Sequence, residues 1–155
     1  MNTYFSRMSL LLGGVLGCLL LAAPAHAQAV STYTVQASGS VLTSTESVVF
    51  SGPIQVTATV VTDPAGGPPT SIVSIDARQL IATGSVSGTV FVNSGQANLT
   101  RQLVSPDVIR TTFAFFPSGS GGQLKARTAL ATLNLSYNLA TGALTGVTAS
   151  ISTFH

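Results

Sequence analysis

Charge is what this chain has least of. Only ten of its 155 residues are charged, six Lys or Arg against four Asp or Glu, or 6%, where an average soluble domain carries about a quarter. The net charge of +2 builds no basic stripe, which argues against nucleic acid as a partner. Tryptophan is absent, and two histidines with one cysteine leave little from which to assemble a metal site. A single cysteine also forbids any disulfide within the chain. Disorder is excluded from the other side. The 45% of apolar residues is far more than a chain that cannot bury a core would carry.

The first 27 residues read as a secretory signal peptide. Arg7 supplies the positive start and Leu10 to Ala23 form an apolar run. Ala25-His26-Ala27 then gives a small-x-small cleavage pattern after Pro24. That run falls short of the roughly 20 residues that span a bilayer, and no later stretch is both long and continuously apolar. The expected organisation is a leader, 1–27, and one domain, 28–155, with no transmembrane span after cleavage. Val15-Leu16-Gly17-Cys18 loosely resembles a lipoprotein box, but apolar residues continue past Cys18, so the later cut is favoured. It places the protein in the periplasm, at the cell surface or outside the cell. It also removes the only cysteine and His26, leaving His155 as the sole histidine.

From Gln28 onward the chain is rich in Val, Ile, Thr and Ser, punctuated by Gly, Pro and Asn. That is the vocabulary of strands and turns. The expected fold is all-β, a single antiparallel β-sandwich or β-barrel domain of roughly eight or nine strands. The candidate strands are Thr32–Ala37, Ser47–Phe50, Ile54–Thr62, Thr70–Ala77, Val86–Asn93, Ala97–Leu103, Val108–Phe116, Leu124–Tyr137 and Ala143–Phe154. Val56, Ala58 and Val60 alternate with polar neighbours and mark a core face. Crowded apolar residues at 89–92 suggest cover on both faces. The proline-rich stretch 63–69 and the glycine-rich 117–122 read as loops. Ala82-Thr83-Gly84 echoes Ala140-Thr141-Gly142. That match is either a duplicated hairpin or, slightly ahead of it, chance in a Thr/Gly/Ala-rich text.

Catalytic groups are scarce. A Ser-His-Asp triad would need the terminal His155 as its base, and no Gly-x-Ser-x-Gly elbow is present. Glu46, Asp63, Asp76 and Asp107 are scattered, where glycoside hydrolysis needs two facing carboxylates. Asp63 and Asp107 stand beside prolines and read as turn residues; Asp76 reads as a partly exposed partner of Arg78. The expectation is a protein that is not an enzyme and takes no cofactor. For binding, Lys125 and Arg127 alternate along a predicted strand, with Arg110 on a neighbouring one. Together they form either an anionic glycan or lipid contact or, more simply, gatekeepers against edge-to-edge pairing. Phe113 and Phe115 share a face with Ile109 and read as core, leaving Phe116 on the other face as a candidate contact.

Gly142 is fourteenth from the end, counting His155, and Phe154 is penultimate. This placement is similar to the end of chaperone–usher pilins, where a glycine and a penultimate aromatic bracket the last strand. The likeness covers those fourteen residues alone. Val147, Ala149 and Ile151 are out of phase with Phe154, and the pilin cysteine pair is missing. The sequence thus favours an exported, non-catalytic, adhesin- or fibre-subunit-like domain that associates with itself or another surface protein. The second reading is a β-barrel holding a small apolar ligand or glycan, its cavity lined by residues such as Ile109, Phe113, Phe115 and Leu133. An outer-membrane barrel is disfavoured by the lack of aromatic girdles.

Overall fold

The computed structural model describes residues 28–63, 65–119 and 121–154. The leader and its candidate cleavage and lipidation points lie outside them, as does His155. The described chain is all-β, with nine strands: β1 Gln28–Leu42, β2 Ser47–Val61, β3 Thr70–Asp76, β4 Ile81–Gly84, β5 Val90–Asn93, β6 Gln96–Gln102, β7 Asp107–Pro117, β8 Arg127–Tyr137 and β9 Leu144–Thr153. Among the described residues no helix is long and apolar enough to cross a membrane.

All nine strands belong to one sheet, ordered β1-β9-β8-β7-β5-β4-β2-β3-β6, and β1 pairs with β2 as well. That last pairing closes seven strands into a ring; β3 and β6 are paired to it through β2, and β6 follows on from β5 to lie beside the first half of β7, where Arg101 reaches Asp107. The geometry follows from the length of β2. Its fifteen residues pair along their whole length with β1, from Gln28↔Val61 to Leu42↔Ser47. Its other edge is divided, Val48–Ser51 to β4 and Gln55–Val61 to β3. Gly52-Pro53, which predicts a break between two strands, falls at the changeover. Because β1 runs past it unbroken, one strand results instead of two.

The ring closes where β1 and β9 run parallel, at Ser38↔Ser150 and Gly39↔Ile151. Gly39 makes this approach possible, since a Cβ there would collide with the Ile151 carbonyl oxygen. Leu42 N–H donating to Thr153 Oγ1 at 3.0 Å and Leu144 N–H to Ser31 Oγ at 3.2 Å tie the same seam at either side.

Alternation fills the interior. Val48, Phe50, Ile54, Val56, Ala58 and Val60 from β2 are all buried, as are Ile109, Phe113 and Phe115 from β7 and Leu133 and Leu135 from β8. Phe50 takes Phe113 and Phe115 edge-on at centroid distances of 5.8 and 5.1 Å, and Phe91 meets Phe115 at 5.7 Å, the arrangement that aromatic quadrupoles favour. Ile109, Phe113, Phe115 and Leu133, the residues proposed to line a ligand cavity, are therefore packed core. The interior is apolar but for Ser71 and Asp107, and the outward positions are mostly Thr, Ser, Gln and Asn, with exposed Val49, Ile81, Val90 and Val92 among them.

Three further sequence expectations are corrected, and the echo between two segments is given its structural setting. Val86 lies in a turn, 82% exposed, so of the strand predicted over Val86–Asn93 only β5, Val90–Asn93, forms, and β4 lies before it where no strand was expected. In β5 only Phe91 is buried, with Val90 and Val92 exposed, so one face is covered rather than both. Leu124 and Lys125 belong to a single 3-10 turn, Gly122–Lys125, and β8 starts only at Arg127. The echoed Ala-Thr-Gly segments are structurally unlike. The first ends a strand; the second lies in the turn before β9, where Gly142 takes a φ of 72°.

Candidate interaction surface

Four residues stand out in the sequence as binding candidates, and the structure separates them. Arg110 pairs opposite Thr132 and Arg127 opposite Phe115, so about five residues of strand, roughly 17 Å, lie between them. They also differ in phase. Arg110 alternates with the buried Ile109 and points outward, while Arg127 follows the inward phase of Phe115 at the exposed rim. Lys125 is on no strand. The shared cationic face is therefore not formed. Arg127 lies instead within electrostatic reach of Glu46.

Glu46 holds a turn. Its carboxylate accepts hydrogen bonds from Val86 N–H and Ser87 N–H, both at 2.9 Å, and from Ser87 Oγ at 2.6 Å. The Ser87 hydroxyl and then the Ser87 and Val86 amides hold its pKa below the usual glutamate range. Asp63 fills the turn role expected of it, accepting from Ala65 N–H at 2.8 Å. Asp76 and Arg78 form the expected partly exposed pair, bidentate at 2.7 to 3.2 Å.

Asp107 does not behave as a turn residue. It is the first residue of β7 and only 2% exposed, with Arg101 Nη2 donating to Oδ1 at 2.8 Å. Its other oxygen, Ser71 Oγ and Tyr137 Oη are buried without a hydrogen-bond partner. Burial pushes the Tyr137 hydroxyl above the ordinary tyrosine range, the Ser71 hydroxyl pulls the other way, and the Asp107 charge adds to the rise. Sequence reading missed this cluster because it draws on β3, β6, β7 and β8. The one local signal was Arg101 in phase with Ala97 and Leu99. Among the described residues no three His, Cys, Asp or Glu side chains gather as metal ligands would.

Phe116 lands in more suggestive company. It is half-buried and pairs opposite Val92. The antiparallel register of β4 and β5, fixed by Ala82↔Phe91 and Thr83↔Val90, sets Ile81 beside Val92. Val49 pairs with Thr83, which pairs with Val90. The outcome is two adjacent rows, Ile81-Val92-Phe116 and Val49-Thr83-Val90, on one outer face. Ile81 is 60% exposed and Val49 50%. Contiguous exposed apolar surface of this kind marks interaction sites more often than scattered residues do.

The second feature is a gap in the ladder, where β6 and the first half of β7 face one another without strand pairing, joined by Arg101–Asp107 and by Gln96, Ala97, Thr111, Thr112 and Phe113. β6 pairs with β3 alone. The first half of β7 is also unpaired on the side away from β8, since β5 reaches only Phe115–Pro117. A cleft of about 220 Å³ opens elsewhere, lined by residues including Gln28, Val60, Pro69, Leu103 and Leu139. No family model matches the chain, and comparisons with curated proteins and solved structures found no match either.

Proposed function

We propose that this is an exported, non-catalytic β domain that serves as a structural or interaction subunit at the cell surface or outside the cell, and that it works by associating with copies of itself. The observation that carries the reading is the apolar pair of rows formed by Val49, Ile81, Val90, Val92 and Phe116. A chain this poor in charge leaves that surface without a charged guard, and association removes it from water at about 25 cal/mol per Å². The packed interior supports a subunit over a carrier of small apolar ligands, because the residues that would line such a cavity fill it. Sizing with light scattering on the exported chain tests the reading. Concentration-dependent growth is expected, weakened by Val92→Glu; a monomer at every concentration overturns it. Intact mass tests the export route, with a chain starting at Gln28 expected and a lipidated Cys18 contradicting it.

A further inference from the structure

We propose that one end of the strand ring docks on an anionic lipid surface, with Leu124 and Val86 entering the bilayer interface and Lys125 and Arg127 meeting its headgroups. The register gathers several chain segments at this end. Leu42 closes β1 opposite Ser47, and Ser85 N–H donates to Ser47 O, so the 85–88 turn follows on beside them. Pro117 ends β7 opposite Phe91, and Ser118 N–H donates to Val90 O, which sets the β7–β8 connection next to that turn. Arg127 begins β8, and Thr153 ends β9 with Leu42 N–H on its Oγ1. The three most exposed large apolar side chains among the described residues all belong here: Leu124 at 93%, Val86 at 82% and Leu42 at 69%. Phe154, also exposed, follows Thr153 at the same end.

The two leading tips are held in place. Glu46 accepts from the Val86 and Ser87 amides, and Leu124 N–H donates to Gly121 O within the 3-10 turn. Lys125 follows Leu124 directly and Arg127 lies two residues further on, so both cations flank the most exposed tip. Glu46 is the one side-chain carboxylate at this end among the described residues, and two cations against it leave the end positive. The opposite end differs. It exposes Leu139, but its exposed charge is the carboxylate of Asp63, and its cation Arg101 is held by Asp107. An anionic bilayer therefore selects between the two ends, because interfacial binding grows with the apolar area buried and with the attraction of cations to acidic headgroups. The apolar tips project from separate turns and share no groove. A fluid interface takes each without a shape fit, whereas the cleft of about 220 Å³ at the far end of a second copy could not take them together.

Vesicle co-sedimentation of the exported chain tests this, using phosphatidylglycerol mixed with phosphatidylcholine and phosphatidylcholine alone. Wild type is expected to bind the mixed vesicles, and the neutral ones about fivefold less. Leu124→Ser is expected to weaken binding about tenfold, since a large apolar side chain leaves the interface. Lys125→Glu is expected to lose the preference for anionic vesicles. Leu139→Ser, the same change at the opposite end, is expected to bind like wild type. Both leucines are exposed, so neither substitution opens the core. A wild type that pellets with neither vesicle, or equally with both, overturns the proposal. So does Leu124→Ser binding like wild type, or Leu139→Ser binding as weakly as Leu124→Ser. If vesicles fail to capture wild type and light scattering without lipid shows growth that Leu124→Ser abolishes, the occupant is a second copy and the lipid contact falls. Failure of vesicle binding leaves self-association through the Val92 surface standing, because Val92→Glu reads that surface separately.

Discussion

Replacing Arg101 by methionine isolates what the buried carboxylate costs. Asp107 is 2% exposed, and Arg101 donates to one of its oxygens at 2.8 Å while the other has no partner. Methionine keeps much of the apolar stem but removes the countercharge. Breaking a buried pair from one side costs about 3–5 kcal/mol. The Arg101 side chain is 39% exposed, so water reaches the vacated place and the expected loss sits near ~3 kcal/mol. For a domain with roughly 5–15 kcal/mol of stability that is a large fraction. Urea unfolding followed by far-UV circular dichroism and tyrosine fluorescence suits a chain without tryptophan, and Tyr137 at 6% exposure is a natural reporter. The midpoint should fall with an unchanged slope. Adding Asp107→Leu to Arg101→Met should recover part of the loss, because the unpaired charge is then gone. A loss under about 1 kcal/mol for Arg101→Met, or a double variant less stable than the single one, would refute the reasoning.

Three further outcomes rest on particular contacts. Phe115→Ala removes the ring that meets both Phe50 and Phe91 edge-on, and chemical denaturation should show a loss of about 3–5 kcal/mol. Gly39→Ala drives a Cβ into the Ile151 carbonyl, so amide exchange should accelerate along β1 and β9 while the β3–β6 ladder stays protected. Glu46 has a folded pKa below its unfolded value, so its contribution is present above the unfolded pKa and lost as pH falls through the folded one. Glu46→Gln should flatten the acid limb of thermal stability, and an acid limb identical to wild type would contradict the role given to Ser87 and Val86.

The all-β class, most strand centres and the core faces of β2 and β7 were legible because a period of two and turn chemistry are local signals. Val56, Ala58 and Val60 needed only their own alternation. The illegible features depended on distant partners. Gly52-Pro53 reads as a break until β1 is seen to run past it, and Leu124-Lys125 reads as strand until the 3-10 turn takes them out of the sheet. The cationic face at Arg110, Lys125 and Arg127 failed for the same reason, since phase and register across β7 and β8 decide it. Asp107 beside Pro106 suggested a turn. Its burial comes from Arg101, Ser71 and Tyr137 on other strands. Phe116 was legible as outward-facing, but its neighbours Val92 and Ile81 emerge only from the β4-β5-β7 register. The gap between β6 and β7 could not be read at all, because strand order is a property of the assembled sheet.

Light scattering of the exported chain across a range of concentrations tests self-association through the Val49, Ile81, Val90, Val92 and Phe116 surface most directly. Growth of the assembly with concentration, weakened by Val92→Glu, is predicted; a monomer at every concentration, or growth that Val92→Glu leaves unchanged, would contradict the account.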